Sequence, residues 1–317
     1  MNMKVLTAFF KYFLIAFGLL LIIISILFGH RDIPVSELKT KYAEPPSSFI
    51  ELNGMEVHCR DEGNASDSIP IVLIHGTSSS LHTFNDWANV LKNGRRVIRM
   101  DLPGFGLTGP FQDNNYAIEN YVGFIHNFLV SKGVEKCILG GNSLGGEIAW
   151  RFTADNPQRV EKLILINAAG YPLESKSKPI AFRLARTPVL KNVLTFITPR
   201  SLVKSSVENV YFDQSKVTDP LVDRYFDLTL REGNRNALID RMALATESDK
   251  TGLIKQIKTP TLVLWGEHDL LIPTDYAHRF HKDLPNSSLV IIEKVGHVPM
   301  EESPKESLSA VTNFLND

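Results

Sequence analysis

Short, continuously apolar runs alternate with amphipathic ones along most of this chain. PIVLIHG (70–76), RRVIRMDLPG (95–104), KCILGGNS (136–143), EKLILINAAG (161–170), TPTLVLWGEHD (259–269) and SSLVIIEKVGH (287–297) are rich in β-formers and end in Gly, Asp, Asn or His. Strands that are apolar on both faces suit a parallel sheet, because helices cover both of its sides. Between them lie helical patterns such as YAIENYVGFIHNFLVSKG, which puts Tyr121, Ile125, Phe128 and Leu129 on one stripe. The alternation predicts an α/β domain with a mostly parallel sheet flanked by helices. Ahead of it, FIELNGMEVHCRDEG carries two extended runs around Asn53-Gly54, a strong hairpin signal, so the domain is expected to start near Phe49 with an antiparallel pair.

Two stretches break the alternation. From about 171 to 258 the pattern is helical with no convincing strand, which predicts a helical cap inserted between two sheet strands. Because it leaves the sheet at a strand carboxyl end, it is expected to stand over the edge where open α/β sheets place their ligands. Its opening part carries Phe182, Ala185, Val189, Val193 and Phe196 near helical spacing, with Arg183, Arg186 and Lys191 among them. The simplest reading is a lid whose apolar face closes a pocket and whose charges face solvent. The other is a basic amphipathic stretch lying on anionic lipid.

The second break is the amino terminus. No charge occurs from Tyr12 to Gly29, and a helix of about 18 residues at ~1.5 Å each spans roughly 27 Å, close to the hydrocarbon thickness of a bilayer. SILFGHRD is too bulky for a signal-peptidase site, so residues 1–29 are expected to be an uncleaved single-pass anchor with its helix at about 12–28. Residues 30–48, polar and proline-bearing, read as a linker leading to the domain at 49–317. Lys4, Lys11 and the terminal amine precede the span, while Arg31, Lys39 and Lys41 follow it among Asp32 and Glu37. This gives a slight preference for a catalytic domain on the non-cytoplasmic side of a membrane.

Composition changes the picture little. In 317 residues the net charge is -1, with acidic and basic residues interleaved, which gives no electrostatic footprint for nucleic acid. The two cysteines, Cys59 and Cys137, lack metal-ligand spacing and read as buried thiols.

The chemistry gathers around Gly141-Asn142-Ser143-Leu144-Gly145, a GxSxG element between an apolar strand and a helix-like run. That is the setting of a nucleophile elbow, in which the serine sits on a strained turn and only tiny residues fit two before and two after it. A serine hydroxyl needs a base and a group that orients the base. Asp269 follows TLVLWGEH and His297 follows LVIIEKVG, both at strand carboxyl ends, the edge on which Ser143 must lie. The order Ser, Asp, His is that of one particular fold.

From about Phe49 onward the chain resembles the α/β-hydrolase superfamily, on GNSLG together with His75-Gly76, Asp101-Leu102-Pro103-Gly104-Phe105-Gly106, Trp265-Gly266 and Gly296-His297. The resemblance implies a serine hydrolase with catalytic Ser143, Asp269 and His297. It also implies an oxyanion hole from the backbone N–H groups of Thr77 and Leu144, with His75, Gly76, Gly141 and Gly145 supporting the motifs. No metal or organic cofactor is implied. The expected substrate is a small to medium apolar ester or thioester. An aspartate nucleophile, as in haloalkane dehalogenases and soluble epoxide hydrolases, is argued against by Ser143. Carbon-carbon bond hydrolases of the superfamily usually carry a tryptophan after the histidine, where this chain has Val298. That reaction, acyl transfer, and a non-catalytic membrane-tethered binding protein stay as alternatives, and Glu267 stays as a substitute acid.

Overall fold

The computed structural model describes residues 3–185, 187, 195–244 and 250–317. Eight strands form one sheet: β1 (Ser47–Leu52), β2 (Met55–Gly63), β3 (Ile71–Ile74), β4 (Arg96–Met100), β5 (Cys137–Asn142), β6 (Val160–Ile166), β7 (Thr261–Gly266) and β8 (Ser287–Ile292). Their order is β1-β2-β4-β3-β5-β6-β7-β8. Only β1/β2 and β2/β4 pair antiparallel, and every pairing from β4 to β8 is parallel. The Asn53-Gly54 turn joins the first two, both residues with positive φ.

The chain steps outward from β3 to β4 and then crosses back to β5 on the other side of β3. This reversal opens a crevice beyond the carboxyl ends of β3 and β5, where doubly wound sheets bind ligands. Strands β3, β5 and β7 are buried along their whole length. One face packs on α4 (Ile118–Ser131) and α5 (Leu144–Asp155), with Tyr121, Ile125, Phe128 and Leu129 buried as the stripe predicts. The other face packs on α3 (Asn85–Leu91) and the carboxyl-terminal helix, with Trp87 and Val311 in the core. Cys59 and Cys137 are free and buried, and burial pushes the Cys137 thiol up to about 12.

Between β6 and β7 the described residues hold α6 (Ile180–Ala185), α7 (Arg200–Glu208), α8 (Asp219–Thr229) and α9 (Asn234–Ala243), and no strand of the sheet. Of the lid stretch singled out in the sequence, Phe182 faces the central cavity and Arg183 is exposed. Arg186, Val189, Lys191 and Val193 lie outside the described residues.

The amino-terminal region differs from the expected linker. Helix α1 (Met3–Phe28) is followed by α2 (Val35–Tyr42), which packs on the cap. Leu38 is buried with Leu107 and Leu228, and Lys41 and Tyr42 both bond Asp227, at 2.6 and 2.7 Å. An eight-residue helix has too few turns to show a period, so its apolar residues look scattered until their partners in the cap are known. The expected span at about 12–28 falls partly on positions 21, 22, 24 and 25, whose side chains lie outside the description. Among the described residues no helix is long and apolar enough to cross a membrane.

His82 ties this arm to the sheet. Its Nε2 lies 2.9 Å from the Tyr42 carbonyl and its Nδ1 3.1 Å from Ser80 Oγ. Burial holds its pKa down at about 3, and burial also depresses His75. The unfolded chain takes up a proton at each histidine near pH 6.5, while the folded chain does so only at lower pH. Their contribution to stability is therefore full above pH 6.5 and falls on acidification, by up to about 1.4 kcal/mol per pH unit for His82 down to its folded pKa. Urea midpoints measured between pH 7 and pH 5 should show this slope, and His82→Gln should flatten it.

Candidate active site

Ser143 stands at the end of β5 with φ 55° and ψ -116°, a conformation a residue with a side chain adopts only under constraint. The constraint is visible. Ser143 N–H donates to the Ile166 carbonyl at 3.0 Å, and the Ser143 carbonyl accepts from Glu147 and Ala169. Glycine is needed at the flanks: a Cβ on Gly141 would sit 2.1 Å from the Gly145 carbonyl oxygen, and one on Gly145 would sit 2.2 Å from that of Ile74. Helix α5 starts at Leu144, directly behind the serine, so its first N–H groups have no intrahelical acceptor.

The loop after β3 closes in from the side. A Cβ on Gly76 would lie 3.0 Å from the Ser143 Cβ, and Gly76 and Thr77 share the cavity wall with Ser143. His75, fully buried, sets this loop. Leu102 N–H donates to its Nε2 at 2.9 Å, so its proton is on Nδ1, which donates to the Gly76 carbonyl at 2.7 Å. Fixing that carbonyl fixes the planar peptide it belongs to. The Thr77 N–H of a trans peptide then points the opposite way, with no freedom to rotate.

Asp269 and His297 come together from the turns after β7 and β8. His297 Nδ1 lies 2.6 Å from Asp269 Oδ2, with both residues buried. The carboxylate also accepts from Leu271 and Ile272 N–H on Oδ1, at 2.8 and 2.9 Å, and from Asn167 Nδ2 on Oδ2 at 2.7 Å. Four donors around one carboxylate fix its plane. With Nδ1–H donated to Asp269, Nε2 of His297 carries a free lone pair. Ser143 and His297 line the same cavity, and Asn142 Nδ2 bonds the His297 carbonyl at 3.0 Å, tying the histidine turn to the residue before the serine. Glu267 is placed elsewhere: it accepts from Lys294 N–H and lies 3.3 Å from His268.

Three groups given no role in the sequence reading hold this arrangement. Asn167, at φ 44° after β6, bridges Asp269 and the Gly266 N–H. Asn142 reaches His297 as described. Glu302, 2 % exposed, accepts from Gly296 N–H at 2.7 Å on one oxygen and from Phe212 and Asp213 N–H at 3.0 and 2.7 Å on the other. It thus clamps the histidine turn to the cap. The only sequence signal for these three was position: Asn167 ends a strand run, Asn142 sits inside GNSLG, and Glu302 closes GHVPMEE.

The cavity encloses about 980 Å³ of non-atom space, part of it open to solvent. Its walls are mainly apolar, including Phe182, Leu202, Val207, Leu238, Ile239 and Val298. Tyr225 adds a hydroxyl that donates to Glu301 at 3.0 Å and lies 3.4 Å from Ser79 Oγ in the loop after β3. Burial, with Glu301 alongside, pushes the Tyr225 phenol well above its ordinary value, so it stays a donor. Among the described residues no three His, Cys, Asp or Glu side chains gather in a way that could hold a metal ion.

A crevice at a sheet reversal, roofed by helices and holding a serine on a strained turn, defines a hydrolase of α/β type. The chain belongs to the alpha/beta hydrolase fold family, whose model matches residues 69–304. It is 27% identical over 277 residues to a 2-hydroxy-6-oxononadienedioate/2-hydroxy-6-oxononatrienedioate hydrolase of Cupriavidus pinatubonensis, covering 82% of this chain and 91% of that one. It is 27% identical over 269 residues to Lipase 1 of Psychrobacter immobilis, covering 82% and 80%. A solved bacterial membrane phospholipase A shares the fold at a TM-score of 0.69 and 24% identity, over 99% of this chain and 98% of that one.

Proposed function

We propose that this protein is a serine hydrolase that cleaves carboxylic esters or thioesters of apolar acyl groups through an acyl-enzyme. The observation that carries the reading is Ser143 on its strained elbow, sharing an apolar cavity with a His297 whose far nitrogen is bonded to Asp269. In this reading His297 Nε2 takes the Ser143 proton as Oγ attacks the acyl carbon, and the imidazolium that forms is steadied by Asp269. The carbonyl oxygen becomes an oxyanion, which Thr77 and Leu144 N–H receive. Each such donor is worth roughly 3 kcal/mol because it is aligned beforehand. Collapse expels the alcohol with the proton from His297. Water, deprotonated by the same nitrogen, then releases the acid and restores Ser143.

A second reading is carbon-carbon bond hydrolysis, favoured by the similarity to the dienedioate hydrolase of Cupriavidus pinatubonensis. Against it stand Val298 beside the histidine and the mainly apolar walls. A panel of nitrophenyl esters graded by chain length, with thioesters and a ring-fission dienoate, separates the two. Ester turnover rising from acetate to medium chain lengths supports our reading, and turnover confined to the dienoate removes it.

We further propose that residues 12–28 anchor the chain in a membrane, with the hydrolase domain on the non-cytoplasmic side. The uncharged run from Tyr12 to Gly29 supports this, as does the exposure of Phe13, Leu14, Phe17, Leu20 and Ile23 along α1. Protease accessibility in sealed vesicles tests both anchoring and side.

A further inference from the structure

Among the described residues that line the cavity, Arg235 carries the one permanent charge. It projects from α9 and is 6% exposed. A buried guanidinium in an apolar wall needs a counter-charge, because leaving a buried charge unpaired is strongly unfavourable. The counter-charge comes from outside the region that matches the family model. Asp32, on the arm between α1 and α2, accepts on Oδ1 from Arg235 Nη2 at 2.6 Å and from Nε at 3.1 Å. The His30 carbonyl accepts from Nη2 at 2.8 Å, and Thr198 Oγ1 lies 3.4 Å from Nη1.

The arm is fixed well enough to hold that position. His30 N–H donates to the Phe196 carbonyl at 2.9 Å, Ile33 N–H to that of Leu230 at 2.7 Å, and Glu232 N–H to that of Ile33 at 3.0 Å. The His30 ring packs edge-on to Phe226, 5.0 Å between centroids. Beyond Arg235 a second, outer cleft is lined by Gly29, His30, Asp32, Phe196 and Arg235 itself. Arg235 lines both the cavity and the cleft, and its Nη1 lies on Thr198, another residue of the cavity wall, so the Asp32–Arg235 pair stands between the two.

We infer that Asp32 is a specificity-determining residue: by neutralising Arg235 it makes the cavity select uncharged acyl groups, and its removal turns Arg235 into a receptor for a carboxylate on the acyl chain. The inference rests on the ester-hydrolase reading for its substrate class. With Asp32 present, an acyl carboxylate approaching Arg235 meets a guanidinium already engaged and a second negative charge behind it. Without that charge, the positive charge of Arg235 is uncompensated and can pair with a carboxylate on the substrate through a charge-assisted hydrogen bond.

The test uses the full chain and two esters of equal acyl length, nitrophenyl hexanoate and the mono-nitrophenyl ester of adipate. The ratio of kcat/KM for adipate over hexanoate is expected to be low in the wild type. It should rise about tenfold or more in Asp32→Asn, stay low in Asp32→Glu, and return to the wild-type value in Asp32→Asn/Arg235→Met. Asp32→Asn keeps a hydrogen-bond acceptor for Arg235, and labelling of Ser143 by a fluorophosphonate reports that the site is intact. A labelled Asp32→Asn protein whose ratio stays within twofold of the wild type overturns the inference. Calorimetric binding of free hexanoate and adipate to the same variants reads the preference without turnover. A wild type inert toward both esters counts against the ester reading alone, and the binding ratio then decides the role of Asp32.

Discussion

Ser143→Ala is expected, on the proposed mechanism, to lower ester turnover by about five to six orders of magnitude, since removing the nucleophile of such a site costs nearly the whole contribution of a triad. Labelling by a fluorophosphonate should vanish with it, while the fold persists, because the elbow is held by backbone bonds from Ile166, Glu147 and Ala169 rather than by the hydroxyl. Ser143→Gly adds a second readout. At φ 55° and ψ -116° a side chain is strained, by about 1–3 kcal/mol, and glycine relieves that strain. The glycine variant should therefore be more stable and equally inert. Residual turnover of the alanine variant above about one per cent of wild type would show that another group is the nucleophile.

Glu302→Ala should be the most damaging substitution outside the proposed reacting groups. Its carboxylate is the acceptor for three backbone N–H groups, those of Gly296, Phe212 and Asp213. Alanine leaves these donors buried without partners, at about 1–3 kcal/mol each before water enters, so a net loss of about 3–5 kcal/mol is expected in denaturant unfolding. The kinetic effect separates this from general destabilisation. The released Gly296–His297 turn no longer presents imidazole to Ser143, so kcat should fall by ten-fold or more at temperatures where the variant is fully folded. Glu302→Gln keeps one acceptor oxygen but turns an amide toward N–H donors, and should fall between the two. A Glu302→Ala protein within 1 kcal/mol of the wild type and with unchanged kcat would show that the clamp is dispensable.

The parts of this molecule that were legible in the sequence are those whose physics is local. The strands of the parallel sheet showed as apolar runs because helices bury both of their faces. The Asn53-Gly54 hairpin showed because positive φ favours those residues. The elbow showed because crowding at Gly141 and Gly145 is imposed by neighbours only a few residues away, or by a strand whose place the pattern itself implies. Asp269 and His297 stood out through their shared position at strand ends, although nothing local says which carboxylate meets which imidazole.

Asn167, Asn142 and Glu302 were not legible, since each acts on a partner from another strand or from the cap. Amide and carboxyl side chains have no periodicity that announces a long-range bond. The packing of the arm at 30–48 was not legible for the same reason. Ile33, Leu38 and Asp32 carry no local signal, and their roles follow only from α8 and α9 being folded against them. The sequence by itself determined the sheet, the elbow and the chemical types at the strand ends, because hydrophobic period and backbone sterics act over a few residues. Tertiary structure alone decided which side chains meet, how the histidine turn is clamped and what charge the cavity presents, because those depend on distances between segments that the chain order leaves open.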